Sequence, residues 1–190
     1  MMNETKETLR HSIRRLNGQL PADRKVAAAE RILAQIEALP AFRTARCVAC
    51  YCALPDEPPT AAVLRRWSRD RRVVVPRVEG DTMQFYDYRP EAMARGAFGI
   101  DEPVAADASH RCPPEAIDLL VVPGVAFTRD GARLGRGKGY YDRYLAQSGI
   151  HACCVGVCFA HQLVDVLPVE PHDRTMDFDF TAILPTFVRE

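Results

Sequence analysis

Residues 117–124 read Ile117-Asp118-Leu119-Leu120-Val121-Val122-Pro123-Gly124, and this stretch decides the fold. Five of its first six side chains are apolar and half of those six are β-branched. Such a run without polar alternation predicts a strand buried on both faces. Pro123-Gly124 then ends it abruptly, since proline lacks the N–H that a central strand needs. A strand covered on both sides belongs in a mostly parallel sheet with helices packed above and below.

The segments on either side repeat the theme. Upstream, residues 46–51 and 72–76 read as buried strands, with 83–86 a third candidate. Between the first two, Pro58-Pro59-Thr60 introduces a short helix running to about residue 69. Downstream, 140–147 reads as a helix closed by Gly149, 152–158 as another buried strand, and 178–183 as a last one. Residues 89–116, rich in Pro, Gly and Ala, read as an irregular covering segment.

At the start of the chain, Leu9, Ile13, Leu16 and Leu20 form an apolar stripe that predicts a helix over 5–16. Lys6 and Arg10 lie along one edge of that stripe, with Arg14 drifting further round; composition alone reads them as a solvated basic edge. Val26, Ala29, Leu33 and Ile36 predict a second helix after Pro21-Ala22-Asp23, stopped by Pro40. The fold class is therefore α/β, a three-layer α/β/α sandwich over one domain spanning 1–190.

Composition narrows the function. The 190 residues carry 25 Lys+Arg against 25 Asp+Glu, so no global field draws the chain to nucleic acid or anionic membrane. Any anion site must be local. No run approaches the ~18 apolar residues that span a bilayer, and the polar start lacks a secretory signal, which predicts a cytoplasmic protein. Of the seven cysteines, Cys47, Cys50 and Cys52 cluster in one strand-like segment, and Cys153, Cys154 and Cys158 in another. In a strand Cys47 and Cys50 point to opposite faces, so they read as small core residues rather than a zinc pair.

The chemistry is concentrated in Arg133-Leu134-Gly135-Arg136-Gly137-Lys138-Gly139-Tyr140-Tyr141-Asp142, where glycines alternate with cations ahead of a helix. Backbone without Cβ atoms approaches a ligand closely, and interleaved guanidinium and ammonium groups suit a polyphosphate. Asp142 is placed to hold the divalent metal that accompanies such a ligand. The spacing fits neither a dinucleotide fingerprint nor a Walker A loop, in which Lys138 would be followed by Ser or Thr. A glycine turn with exposed cations is the plainer reading of the same residues.

The motifs together resemble the 5-formyltetrahydrofolate cyclo-ligase (methenyltetrahydrofolate synthetase) family. The likeness runs through residues 6–10, the segment from Tyr51 to Glu57-Pro58-Pro59-Thr60, residues 98–103, residues 120–127, the glycine-rich stretch, and residues 162–173. It implies ATP- and Mg²⁺-dependent cyclisation of 5-formyltetrahydrofolate to 5,10-methenyltetrahydrofolate, on a fold like that of ribose-phosphate isomerase and CoA-transferase domains. It implies that Lys6 and Arg10 contact ATP, overturning the plain reading of that edge. It also implies that Arg133, Leu134, Gly135, Arg136, Gly137, Lys138, Gly139, Tyr140 and Tyr141 form the nucleotide loop. Arg136 to Tyr140 would also border the folate beside Cys52 and Glu57, with Arg136 and Lys138 as the catalytic cations and Asp142 and Asp173 as magnesium ligands. The partners implied are a reduced folate and ATP, for a monomer acting on small molecules.

One departure stands out. The resemblance leads to an apolar residue and an acid after the substrate glutamate, where this chain has Pro58 and Pro59. The diproline leaves room for a non-catalytic folate- or nucleotide-binding paralogue. A sugar-phosphate isomerase would suit the sheet but gives Asp142 and Asp173 no shared purpose.

Overall fold

A computed structural model describes residues 5–96, 99–104, 108–168 and 175–177. Helices α1 (Lys6–Gln19), α2 (Ala22–Ala38) and α3 (Pro40–Thr44) precede strand β1 (Cys47–Ala49). Then follow α4 (Ala61–Trp67), β2 (Arg72–Glu79), β3 (Thr82–Asp87), β4 (Met93–Arg95), β5 (Asp101–Pro103) and β6 (Arg111–Cys112). The chain continues with β7 (Leu119–Pro123), β8 (Ala126–Phe127), β9 (Arg133–Leu134), α5 (Tyr140–Leu145) and β10 (Cys153–Val157).

The main sheet has the order β10-β7-β1-β2-β3-β6. Strand β7 pairs in parallel with β1 and β10, β1 pairs in parallel with β2, and β3 is antiparallel to both its neighbours. Val48 lies level with both Val73 and Leu119, so three buried side chains form one row across the centre. Asp118, the one charged residue in the fold-deciding stretch, sits just before β7. Its carboxylate accepts the Arg46 and Cys47 N–H groups at 2.7 and 2.8 Å and fixes where β1 begins.

Alternation along the strands separates two cores. Val48, Val73, Val75, Leu119 and Val121 face α2, α3 and α4, whereas Cys47, Ala49, Val74, Leu120 and Val122 face α5. Cys47 and Cys50 thus fall on opposite sides, as strand geometry requires. A third cluster packs Leu9 and Ile13 of α1 against Val125, Ala126 and Leu134, docking the first helix on the β8–β9 hairpin.

Several boundaries move. Thr5 caps α1, its hydroxyl accepting the Thr8 N–H, and the helix runs to Gln19, past the expected end at 16. In α2 the buried stripe is Ala29, Ile32, Leu33 and Ile36; Val26 is 47% exposed, one turn too early to reach the sheet. Pro40 opens α3 as well as ending what precedes it, since proline fits a first helical turn. The segment 89–116 is more ordered than its composition suggests: β4 and β5 pair with each other, and β6 extends the main sheet. The strand expected at 178–183 lies outside the described residues. Among the described residues no helix is long and apolar enough to cross a membrane.

Candidate active site

A cavity of about 430 Å³ opens beyond the carboxyl end of β7, where Pro123-Gly124 turns away from the sheet. Ligands bind open α/β sheets at this edge. Gln162 anchors the corner: its side-chain N–H₂ donates to the Gly124 and Val125 carbonyls at 3.0 and 2.8 Å, while its oxygen accepts the Phe159 N–H. Pro76, Val78 and Met83 of the β2–β3 hairpin supply an apolar wall, and two loops supply the polar one.

The first loop runs from β1 to α4. Tyr51 Oη donates to the Pro58 carbonyl and Thr60 Oγ1 to the Tyr51 carbonyl, each at 2.7 Å. The Leu54 and Glu57 backbones close a turn, with Glu57 N–H on the Leu54 carbonyl and Leu54 N–H on Glu57 Oε2. These bonds hold Glu57 in the cavity wall at 6% exposure. Burial pushes its carboxyl above the usual glutamate range, against the opposing pull of Arg136. Cys52 lines the same cavity, its thiol pushed up to about 12 by burial, so it presents a neutral, apolar contact.

The second loop joins β9 to α5. Gly137 and Gly139 have φ of +93° and +68°, a region that L side chains rarely occupy, and this turns the chain sharply into the N-terminus of α5. Arg133 lies beneath, 2% exposed, with Nη2 2.5 Å from Asp142 Oδ1. Its Nε is buried without a hydrogen-bond partner, as is Tyr141 Oη. Burial raises the Tyr141 phenol well above its ordinary value, so the ring stays neutral. The Lys138 side chain is exposed at the cavity mouth and makes no hydrogen bond or ion pair to a described residue, while its backbone carbonyl accepts from Arg143 at 2.8 Å.

Arg136 joins the loops. Its Nε donates to Glu57 Oε1 at 2.9 Å, and Nη1 and Nη2 donate to the two Asp56 oxygens at 3.1 and 2.7 Å. Helix α1 braces the assembly from outside. Arg10 Nε donates to the Gly135 carbonyl at 2.9 Å, and the Asn17 amide donates to the Asp56 carbonyl, also at 2.9 Å.

Most of the sequence-derived set is brought together here. Cys52, Glu57, Arg133, Gly135, Arg136, Lys138, Gly139, Tyr140, Tyr141 and Asp142 all line the cavity. Four described residues do not. Leu134 is core beneath α1, Gly137 faces the Arg10 guanidinium, Arg10 supports the loop from behind, and Lys6 lies one turn earlier on the helix. Asp173 lies outside the described residues. Sequence reasoning gave no site role to Arg14, Ile100 and Glu102, which line the cavity, or to Asp56 and Asn17, which organise it. Residues 98–103 already carried part of the family likeness, and that was the signal for Ile100 and Glu102.

Among the described residues Asp142, whose Oδ1 is paired with Arg133, is the side chain that would suit a magnesium ion. Asp142 offers hard carboxylate oxygens at the rim with a side chain 24% exposed, and Mg²⁺ takes one or two carboxylates, leaving other positions to phosphate and water. Among the described residues no group of three His, Cys, Asp or Glu forms a closed metal cage.

A covered, mostly parallel sheet with a carboxyl-edge cavity, apolar on one wall and charged on the other, defines an α/β protein of the kind that acts on small molecules. The family model described as "5-formyltetrahydrofolate cyclo-ligase family" matches residues 2–181, and the chain belongs to that family. The Saccharomyces cerevisiae 5-formyltetrahydrofolate cyclo-ligase is 30% identical, covering 91% of this chain and 93% of its own length. The Haemophilus influenzae enzyme of that name is also 30% identical, covering 91% and 95%. The Aquifex aeolicus 5,10-methenyltetrahydrofolate synthetase structure superposes with a TM-score of 0.80 at 33% identity, covering 90% of this chain and 87% of that one.

Proposed function

We propose that this protein cyclises 5-formyltetrahydrofolate to 5,10-methenyltetrahydrofolate with consumption of ATP and release of ADP and phosphate. One observation carries the reading: Arg136 of the glycine-rich loop lies within hydrogen-bond distance of Glu57 in a shared cavity. A folate held by Glu57 and a phosphate held by the glycine loop would meet at that guanidinium.

The residues suit the reaction. The formyl oxygen attacks the γ-phosphorus, forming an O–P bond as the bond to the β-phosphate oxygen breaks and ADP leaves. Nitrogen 10 then adds its lone pair to the formyl carbon and loses its proton. The C–O bond breaks, phosphate departs, and the five-membered ring closes with a C=N⁺ bond at nitrogen 5. Phosphoryl transfer asks the protein chiefly for positioning and charge neutralisation. Lys138 at the mouth and Arg136 within supply positive charge, while Arg10 fixes the backbone that carries both. Glu57, pinned by Leu54, orients the pterin by hydrogen bonding. Magnesium, when bound, supplies further neutralisation of the phosphates; Asp142 would hold it, with Asp173 as the second carboxylate implied by the family pattern.

The diproline is compatible with catalysis, since the Pro58 carbonyl accepts the Tyr51 hydroxyl and strengthens the Glu57 loop. We infer a monomeric cytoplasmic enzyme of one domain. Purified protein with 5-formyltetrahydrofolate and MgATP is expected to develop the near-ultraviolet absorbance of the methenyl product with matching phosphate release. Tight folate binding without phosphate release would instead identify a non-catalytic paralogue.

A further inference from the structure

Resting on that reading of the site, we propose that Asp56 is a positioning residue: a carboxylate that occupies Arg136 in place of phosphate and hands it over when nucleotide binds. Both forked edges of the guanidinium are occupied by carboxylate oxygens. One edge is taken by both Asp56 oxygens and Nε by Glu57, so Arg136 has no edge left for a phosphate. To neutralise one, it must release a carboxylate.

The two carboxylates differ in what release would cost. The Glu57 side chain is 7% exposed, and its second oxygen is already tied to the Leu54 N–H. Stripping Arg136 from it would strand a buried charge, which is strongly unfavourable. The Asp56 side chain is 24% exposed and can be hydrated once its partner moves. Arg136 therefore exchanges Asp56 and keeps Glu57. The carbonyl of Asp56 is fixed by the buried Asn17 amide, so its carboxylate stays in place to recapture the arginine after product leaves.

A planar carboxylate and a phosphate face present similar pairs of oxygens to a guanidinium fork. Asp56 thus keeps Arg136 oriented as the phosphate needs it, while competing for it. The competition gives this role a signature that a merely structural aspartate lacks: removing the charge improves ligand binding.

The test measures affinity of full-length protein for the β,γ-imido analogue of ATP with magnesium, by calorimetry without folate. Asp56→Asn, which keeps the shape and loses the charge, is expected to tighten binding about threefold to tenfold. Asp56→Ala should do the same. In an Arg136→Ala background the same substitution should change nothing, because the coupling runs through Arg136. Unchanged or weaker binding in both single variants would overturn the proposal, as would tightening that persists without Arg136. Failure of the wild-type protein to bind the analogue would instead remove the nucleotide reading on which the proposal rests.

Discussion

The two loops that face each other across the cavity are built in opposite ways. Residues 51–60 are cross-tied by four internal hydrogen bonds, from Tyr51 to Pro58, Thr60 to Tyr51, and twice between Leu54 and Glu57. Residues 135–139 form two positive-φ turns and are held mainly from outside, by Arg10 on the Gly135 carbonyl and Arg143 on that of Lys138. The first loop buries its functional carboxylate, and the second leaves Lys138 in solvent. One side of the site is tied within itself; the other presents its cation to solvent. Buried charge needs a rigid frame to be tolerated, whereas exposed cations can wait at little cost.

The largest effect expected from this contrast is at Lys138. Lys138→Ala should lower turnover about 100-fold or more while leaving the melting temperature nearly unchanged, because the side chain makes no hydrogen bond or ion pair to a described residue. A loss under tenfold, or a large fall in melting temperature, would break the comparison.

Glu57→Gln should be intermediate, raising the folate KM about tenfold. Since burial raises the Glu57 pKa and folate binding uses the ionised form, the acid limb of kcat/KM should lie above the ordinary glutamate value of about 4.3. The Gln variant should lose that limb. Stability carries the matching sign: with the folded pKa raised, the contribution of Glu57 is present below the unfolded pKa and lost as pH rises through the folded one. Denaturant melts of both proteins across that window check it.

The smallest effect belongs to a tie within the rigid loop. Tyr51→Phe should cost about 1 kcal/mol by leaving the buried Pro58 carbonyl unpaired, lowering the melting temperature by roughly 2–4 °C with turnover changed only a few-fold. A collapse of activity without loss of stability would show that this loop, too, is shaped by ligand.

Much of this was legible in the chain. Residues 117–124 announced the central strand because apolar runs and a terminal proline act locally, and the glycine-rich stretch announced its own turn for the same reason. What escaped notice was non-local. Nothing near Asp56 says that Arg136, eighty residues on, will grip it, and nothing near Asn17 says that its amide will reach the Asp56 carbonyl. The place of the Leu134 side chain was hidden for a related reason: it sits inside the glycine-rich motif, yet it belongs to the β9 face that packs under α1. Strands β4 and β5 were hidden because three-residue pairs leave too short a pattern to register.

The first helix has a geometric consequence for the two loops. Arg10 reaches the glycine-rich turn and Asn17 reaches the turn that carries Asp56 and Glu57 from the same α-helix, seven residues apart. Seven residues of α-helix span about 10 Å, and a helix resists stretching. It therefore serves as a ruler: the gap between the two turns is written in helical pitch, and a tilt of that one rod would alter both ends of the measurement together.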